Sequence, residues 1–209
     1  MGRYLTIGDS HIPRRARKIS NEVLNKLSDL TDSDLFDYIF FTGDLINAEN
    51  FIDFLKSKTS NNVLIVIGNM DYYGGNKNAP IYQKLGVNLF DNEKLTIGMI
   101  HGHQIEPRGD HSQLELIAQN EGYDILISGH THKEEVFLTE KGILLLNPGS
   151  VTGAWSFVAS GIPSFLVLYI NEKTKVIDVS LFKIDKKSGK FSVLKYYFIF
   201  KNNQIHNKY

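Results

Sequence analysis

The sequence predicts an α/β protein with two sheets, one of them mostly parallel, because two patterns follow each other along the chain. In the first pattern, apolar runs at residues 4–7, 38–41 and 63–67 alternate with segments of helical spacing at 21–30 and 48–58. Near-continuous apolar strands separated by helices are typical of a parallel sheet that is covered on both faces. We therefore expect a βαβαβ unit at the start of the chain.

The second pattern begins at Pro163, where strands follow one another with only short polar turns between them. They are assigned to residues 164–170, 175–182 and 191–200. Because no helix separates them, we expect them to be antiparallel and to form a second sheet on the other side of the core. Residues 201–209 are polar and are expected to form a disordered tail. Residues 1–200 are expected to form a single domain.

The middle of the chain is expected to add helices, strands and a hairpin. In order, these are a short helix at 80–85, a strand at 95–100, a helix at 113–121, a strand at 124–127 and a hairpin of 133–138 with 143–146. The helix at 113–121 and the earlier one at 21–30 have apolar residues at helical spacing. Ser20 is a suitable N-cap for the earlier helix, because its hydroxyl can accept a backbone hydrogen bond.

The composition excludes several classes of function. Of the 209 residues, 42% are hydrophobic and 22% are charged, and the formal net charge is zero, so no strong field attracts nucleic acid or anionic lipid. The chain has no cysteine, so any metal must be bound by nitrogen and oxygen. No apolar run reaches the roughly 20 residues of a membrane span, and no secretory signal precedes the first strand. We expect a cytoplasmic protein without a transmembrane segment.

Potential metal ligands follow the ends of separate strands. They lie in residues 8–11 (Gly-Asp-Ser-His), 42–44 (Thr-Gly-Asp), 68–71 (Gly-Asn-Met-Asp), 101–103 (His-Gly-His) and 128–132 (Ser-Gly-His-Thr-His). His130 and His132, on extended backbone, are expected to point to the same side. Ligands bind at the carboxyl ends of strands in open α/β sheets, so we predict one convergent site. A core histidine with one hydrogen bond is the alternative for any single position, but it does not account for five strand ends together.

The candidate ligands exceed the needs of one metal ion. With His103 set aside, they are Asp9, His11, Asp44, Asn69, His101, His130 and His132. Two divalent ions, about 3.5–4 Å apart and bridged by a carboxylate and a hydroxide, account for the set. The positive charge of two such ions exceeds the negative charge of two carboxylates, which suits an anionic phosphoryl substrate. Such ligands accept Mn²⁺, Zn²⁺, Fe²⁺ or Ni²⁺.

In order and in spacing, these stretches resemble the signature of the calcineurin-like metallophosphoesterases. Residues 147–150 (Asn-Pro-Gly-Ser) resemble the compact YfcE-type phosphodiesterases within that superfamily. Other stretches resemble the retromer small subunit family (vacuolar protein sorting-associated protein 29), which shares the fold. They are residues 101–104, 107–110, 151–154 and 162–165. The resemblance covers about residues 3–185.

The resemblance implies a four-layer αββα sandwich of two mixed sheets and a role for each ligand. One metal would be held by Asp9, His11, Asp44 and His132, and the other by Asp44, Asn69, His101 and His130. Asp44 would bridge the metals, and catalysis would depend on Asp44, Asn69 and His101. It further implies that His103 lies outside the ligand set and that Asp71 orients a loop or a ligand. The alternative for Asp71 is an exposed turn carboxylate.

Two positions depart from close relatives. Met70 stands where many relatives carry a histidine, and losing a general acid typically slows a reaction about 10²–10⁴-fold. Low activity or diesters with good leaving groups are therefore expected, and YfcE-type enzymes also lack that histidine. Asp44 and Asn69 retain the enzyme-like assignment, whereas retromer subunits of animals resemble this chain with the two residue types exchanged.

Two functions remain open at this level. The first is a metal-dependent phosphodiesterase acting on a small-molecule phosphodiester. The second is a retromer-type scaffold at the endosomal membrane, which binds a helical-solenoid protein with weak or no catalysis. Trp155 and Phe157 are either partner anchors or core residues. Glu106 stands where retromer subunits present an aliphatic residue, and burying an unpaired charge is costly. The basic run 14–18 is a solvated loop or a collar for an anionic substrate.

Overall fold

The computed structural model describes residues 1–185 and 187–208. These residues form two β-sheets and four α-helices. The elements are β1 Gly2–Ile7, α1 Asn21–Leu30, β2 Phe36–Phe41, α2 Glu49–Lys56, β3 Thr59–Ile65, α3 Asn69–Tyr73, β4 Tyr82–Asn88, β5 Lys94–Ile100, α4 His111–Glu121, β6 Ile125–Ile127, β7 Glu134–Leu138, β8 Leu144–Pro148, β9 Ser164–Ile170, β10 Val176–Ile184, β11 Phe191–Lys201 and β12 Gln204–Asn207. None of the described helices is long and apolar enough to cross a membrane.

Three apolar clusters define a sandwich of four layers. The central cluster joins the facing sides of the two sheets and includes Phe40 and Leu168 from one sheet and Ile97 from the other. A second cluster packs α1 and α2 against the outer face of the first sheet, and a third packs α4 against the outer face of the second. Neighbouring strand residues alternate between clusters, since side chains alternate across a strand. The αββα architecture of two mixed sheets is thus confirmed.

The C-terminal strands join the first sheet, which corrects the expectation that they form a second one. The strand order of the first sheet is β12-β11-β10-β9-β1-β2-β3, and that of the second is β4-β5-β6-β8-β7. The parallel pairing of β1, β2 and β3 and the antiparallel pairing of β9, β10 and β11 are as predicted. The difference arises at β9, which pairs antiparallel with the free edge of β1.

The helix predicted at residues 80–85 is wrong, because this segment belongs to strand β4. Leu85 and Val87 face inward with period two, and β4 pairs antiparallel with β5 so that Leu85 lies opposite Ile97. A short apolar segment does not distinguish helix from strand by itself, and pairing with β5 decides it. The short helix α3, which begins at Asn69, was not predicted.

The expectation of a disordered tail at residues 201–209 is also wrong. Residues 204–207 form β12, which pairs with β11 and places Ile205 opposite Phe200. Ile205 is 1% exposed, and its backbone N–H donates to the Gly142 carbonyl in the β7–β8 turn, at 2.9 Å. This contact ties the edge of the first sheet to the second. Tyr209 lies outside the described residues.

The predicted bounds and N-cap of α1 are confirmed. The helix spans the predicted residues, and the Val23 backbone N–H donates to Ser20 Oγ at 3.3 Å.

Candidate metal centre

The predicted ligands meet where the ends of strands from both sheets face each other. The turns after β1, β2 and β3 carry Asp9 with His11, Asp44 and Asn69, whereas those after β5 and β6 carry His101 and the pair His130 and His132. Asn69 is half-buried and the other six are buried. Polar side chains at such depth require partners, so their mutual contacts matter.

The first group of donors consists of Asp9, His11 and His132. The two Nε2 atoms of His11 and His132 are 2.8 Å apart. Asp9 Oδ1 lies 3.3 Å from His132 Nε2 and 3.8 Å from His11 Nε2. Three potential ligands from two sheets thus point at one small volume.

The second group is arranged around His101. Its Nε2 atom lies 3.2 Å from Asn69 Oδ1 and 3.5 Å from Asp44 Oδ2. The same Asp44 oxygen is 3.3 Å from His11 Nε2, in the first group. Asp44 therefore lies between the two groups, which is the position that a bridging carboxylate needs.

His130 is at the site, and His103 is at its edge. The ring of His130 lies 5.2 Å from that of His101, and its backbone N–H donates to the Asp9 carboxylate at 3.2–3.3 Å. Burial, together with the charges of His101 and Arg108, lowers the pKa of His130 to about 3. His103 is exposed, with its ring 5.5 Å from that of His101.

Five of the predicted ligands lie on backbone with positive φ. The angle is 51° at Asp9, 50° at His11, 55° at Asp44, 66° at His130 and 57° at His132. Such conformations cost on the order of 1–3 kcal/mol each and persist where the surrounding structure holds them, often at functional sites. The expectation of extended backbone at residues 130–132 is wrong. Left-handed turns, rather than strand alternation, direct both side chains into the site.

Backbone carbonyls orient two of the imidazole rings. His101 Nδ1 donates to the Thr42 carbonyl at 2.7 Å, and His132 Nδ1 donates to the Ala154 carbonyl at 3.0 Å. Each bond leaves Nε2 as the atom that faces the centre of the site. Carbonyl partners of this kind fix the tautomer and ring orientation of metal-binding histidines.

Asp71 is buried and orients the loop that carries Asp44. Its Oδ2 atom accepts hydrogen bonds from the backbone N–H groups of Asp44 (2.8 Å) and Gly68 (3.1 Å), and its Oδ1 accepts one from Ile46 (2.8 Å). Burial raises the pKa of Asp71, although these N–H groups act in the opposite direction. Of the two interpretations from the sequence, orientation of a loop is the one observed.

The electrostatics leave negative charge inside the site. Burial lowers the pKa of His11 to about 4, so this ring is neutral at pH 7. Burial also acts against a charge on His101, but the Asp44 carboxylate raises the pKa of His101 to about 9. Burial would raise the pKa of both aspartates, yet His132 beside Asp9 and His101 beside Asp44 hold both below the usual range.

The donor set fits divalent metal ions. Because His132 Nδ1 donates to a carbonyl, its Nε2 is the atom that faces His11 Nε2. In the described part of the chain, the buried His11 Nδ1 has no hydrogen-bond partner, and no lysine or arginine pairs with Asp9 or Asp44. Converging imidazole and carboxylate donors without a lysine or arginine partner are the ligands that first-row divalent metals accept.

Further residues that the sequence did not assign to the site support it from the loop after β8. Ser150 Oγ donates to the Asp9 carbonyl at 2.7 Å, and Asn147 Nδ2 donates to the Gly129 carbonyl at 3.1 Å. Both lie in the stretch 147–150 that resembles YfcE-type phosphodiesterases, but the sequence assigned neither residue a role in the site. Their role depends on contacts between distant parts of the chain, which no local pattern reveals.

Met70 contacts the site through its backbone. Its N–H donates to Asp44 Oδ1 at 2.8 Å, so it helps to hold the central carboxylate. The thioether side chain has no proton to donate.

Comparison with known proteins agrees with this geometry. Residues 3–173 match the model of the calcineurin-like phosphoesterase superfamily domain. A probable metallophosphoesterase of Methanocaldococcus jannaschii is 38% identical over 147 residues, which cover 70% of this chain and 66% of that protein. The chain thus spans slightly less than two thirds of that relative.

Solved structures of Vps29 proteins have the same fold. Vps29 of Cryptosporidium parvum is 30% identical with a TM-score of 0.78, and the match covers 95% of this chain and 98% of that chain. Wild-type Vps29 of Entamoeba histolytica, solved as a complex with Zn²⁺, is 28% identical with a TM-score of 0.75, covering 93% and 98%.

Proposed function

The chain belongs to the calcineurin-like phosphoesterase superfamily, and from this membership and its site we propose that it is a metal-dependent phosphodiesterase. The observation that carries the proposal is the position of Asp44 Oδ2, 3.3 Å from His11 Nε2 and 3.5 Å from His101 Nε2. One carboxylate oxygen between two sets of imidazole donors suits a pair of cations better than a single one.

Two divalent ions, of manganese, zinc, nickel or iron, would be held by the donors described above. Asp9, His11, Asp44 and His132 would hold one, and Asp44, Asn69, His101 and His130 the other. When bound, such ions polarise phosphoryl oxygens and lower the pKa of a water molecule towards 7. The Zn²⁺ complex of the Entamoeba relative supports a metal at this fold.

The protein's own residues would position the donors and set the charge. Asp44 is held by the Met70 N–H, and His101 and His132 are held by backbone carbonyls, so little reorganisation is needed when a substrate arrives. His11, with its pKa of about 4, stays neutral and keeps a lone pair available. Met70 supplies no proton to a leaving group, which favours diesters whose leaving group is stable as an anion.

The test is hydrolysis of bis(p-nitrophenyl) phosphate by protein loaded with Mn²⁺ or Ni²⁺. Asp44→Asn and His101→Ala are each expected to lower the rate at least about 100-fold, because each removes a donor that would bind the metal ions. His206→Ala, on the exposed strand β12, is the matched control. Equal rates in all four proteins would reject the proposal. Elemental analysis and anomalous scattering would give the number and identity of the ions.

A second candidate is a scaffold that binds a helical-solenoid protein, as the retromer resemblance implies. The likeness to Vps29 structures over almost the whole chain favours it. Ile105 is only 3% exposed and is unavailable for such a contact, whereas Glu106 and Trp155 are exposed.

A pull-down with the helical-solenoid partner of a Vps29 protein separates the two functions. The scaffold is supported if wild-type protein binds, Trp155→Ala does not, and the exposed-aromatic control Phe90→Ala still does. Absence of binding by the wild type counts against it.

A further inference from the structure

We propose that Trp155 and Phe157 form a stacking platform for a planar base, which makes the substrate a nucleotide-type phosphodiester. The inference rests on the proposed phosphodiesterase activity and names its substrate class. Trp155 is 63% exposed and Phe157 is 80% exposed, so neither is a core residue. Their ring centroids are 5.0 Å apart at an interplanar angle of 61°, so both rings present surface to solvent at one place.

The loop that carries the two rings is fixed to the candidate metal centre. Between them, Ser156 is buried and its Oγ donates to the Thr131 carbonyl, in the turn between His130 and His132. Ala154, also buried, accepts from His132 Nδ1 at 3.0 Å and donates its N–H to Ser150 Oγ at 2.9 Å. The exposed rings therefore alternate with anchored residues. A platform that is already ordered loses little conformational entropy when it binds a ligand.

Two arginines lie beside the rings of Trp155 and Phe157. The Arg108 guanidinium is 5.8 Å from the Phe157 ring centroid. Arg15 Nη1 donates to the Trp155 carbonyl at 2.8 Å, while the Arg15 backbone N–H donates to the His11 carbonyl at 2.9 Å. Neither guanidinium pairs with a carboxylate within residues 1–185 and 187–208. Of the two interpretations of the basic run, the collar for an anionic substrate is the one that this placement favours.

Together these features match the parts of a nucleotide ester. Aromatic side chains stack on any base, because every base has a π-face, and arginine adds a cation–π or phosphate contact. A phosphate at the metal centre would lie beside the turn that anchors the rings, so its base need only reach the adjacent platform. A simple alkyl diester has no planar base that could stack on these rings.

The first test compares two esters with the same leaving group. These are the p-nitrophenyl ester of thymidine 5′-phosphate and methyl p-nitrophenyl phosphate, and the readout is the ratio of their kcat/KM values. Trp155→Ala is expected to lower the ratio roughly 5- to 150-fold, the range for losing one base–aromatic stack. Trp155→Phe should retain most of it, and Phe90→Ala, whose ring is exposed elsewhere, should leave it unchanged.

The second test does not depend on turnover. Trp155 is the only tryptophan of the chain, so its fluorescence reports on stacking directly. AMP is expected to quench it in the manganese-loaded protein, whereas ribose 5-phosphate, which lacks the base, is not. Phe157→Ala should raise the Kd for AMP, measured by this titration, at least about fivefold.

The outcomes separate the two proposals. If no diester is hydrolysed but AMP quenches Trp155, the phosphodiesterase proposal fails and the platform stands. If both esters are hydrolysed, and AMP quenches no more than ribose 5-phosphate, the platform proposal is overturned and the activity stands. Quenching by the helical-solenoid protein alone would make this surface a protein contact and would also overturn the platform.

Discussion

Asp71→Asn tests whether one buried carboxylate holds the loop of the central ligand. The side chain accepts three backbone N–H bonds, from Asp44, Ile46 and Gly68, and φ is positive at Asp44 (55°) and at Ile46 (67°). An amide has one oxygen, so at best it keeps the two bonds of Oδ2 and turns its NH₂ group towards the Ile46 N–H. The variant thus replaces one hydrogen bond by a contact between two donors, in a place where water has little access.

The magnitude follows from these contacts. A hydrogen bond to a charged acceptor contributes about 1.5–3 kcal/mol, a neutral one about 0.5–1.5 kcal/mol, and an unsatisfied buried donor costs about 1–3 kcal/mol. The neutral amide avoids part of the burial penalty that raises the pKa of Asp71, so the low end applies. We expect a loss of about 2 kcal/mol in the free energy of unfolding. For a chain of this size that lowers Tm by about 4–8 °C.

Urea unfolding followed by far-ultraviolet circular dichroism measures this loss, and calorimetric titration with Mn²⁺ measures the effect on Asp44. The matched control is Asp53→Asn, since Asp53 is an exposed aspartate that pairs with Lys56 at 2.8 Å. An exposed ion pair contributes about 0–1 kcal/mol, so the control should unfold almost like the wild type. A loss of less than 0.5 kcal/mol in Asp71→Asn, with unchanged manganese affinity, would refute the argument that this carboxylate holds the loop.

Gly68, Phe165 and Ile205 are closely packed, so substitutions there have measurable costs. Gly68→Ala should weaken Mn²⁺ binding at least about tenfold, because a Cβ there would lie 2.0 Å from Asp44 Oδ1 and 2.3 Å from its backbone nitrogen; unchanged calorimetric affinity would contradict it. Phe165→Ala, which removes a buried ring stacked at 4.9 Å on its neighbour, should cost about 3–5 kcal/mol in urea unfolding, against less than about 0.5 kcal/mol for exposed Phe90→Ala. Ile205→Ala should lower the free energy of unfolding by about 2–4 kcal/mol. A negligible loss would favour the original expectation that the C-terminal residues form a disordered tail.

Much of the fold was predictable because its signals are local. The spacing of apolar residues and the Ser20 cap located α1, and the apolar runs located β1, β2, β9 and β11, since a helix or strand needs its own periodicity wherever it lies. The helix prediction for the segment at β4 was wrong because seven residues carry too little periodicity to distinguish a helix from a strand. Its pairing with β5 made the choice, and that partner is not visible in the segment itself.

The residue types of the candidate site were predictable for a related reason. A ligand such as Asp9 or His101 follows the end of an apolar strand, and glycines nearby mark the turns. The carboxyl ends of parallel strands share an edge of their sheet, so convergence within each sheet could be expected before any coordinate was known. That the two sheets bring their ligands together was decided by the tertiary structure. The backbone conformation at His130 could not be predicted from the sequence. A positive φ in a residue other than glycine is imposed by the surrounding contacts and not by the residue's own preference.

The sequence by itself determined which donors this protein offers and at which strand ends they stand, because those properties belong to single residues and short segments. Only the tertiary structure decided that the C-terminal strands extend the first sheet, that one oxygen of Asp44 lies between two histidine groups, and that Trp155 and Phe157 face solvent beside them. Each of these depends on contacts between residues far apart in the chain, and strand pairing, burial and distance are set by the whole fold rather than by any stretch of it.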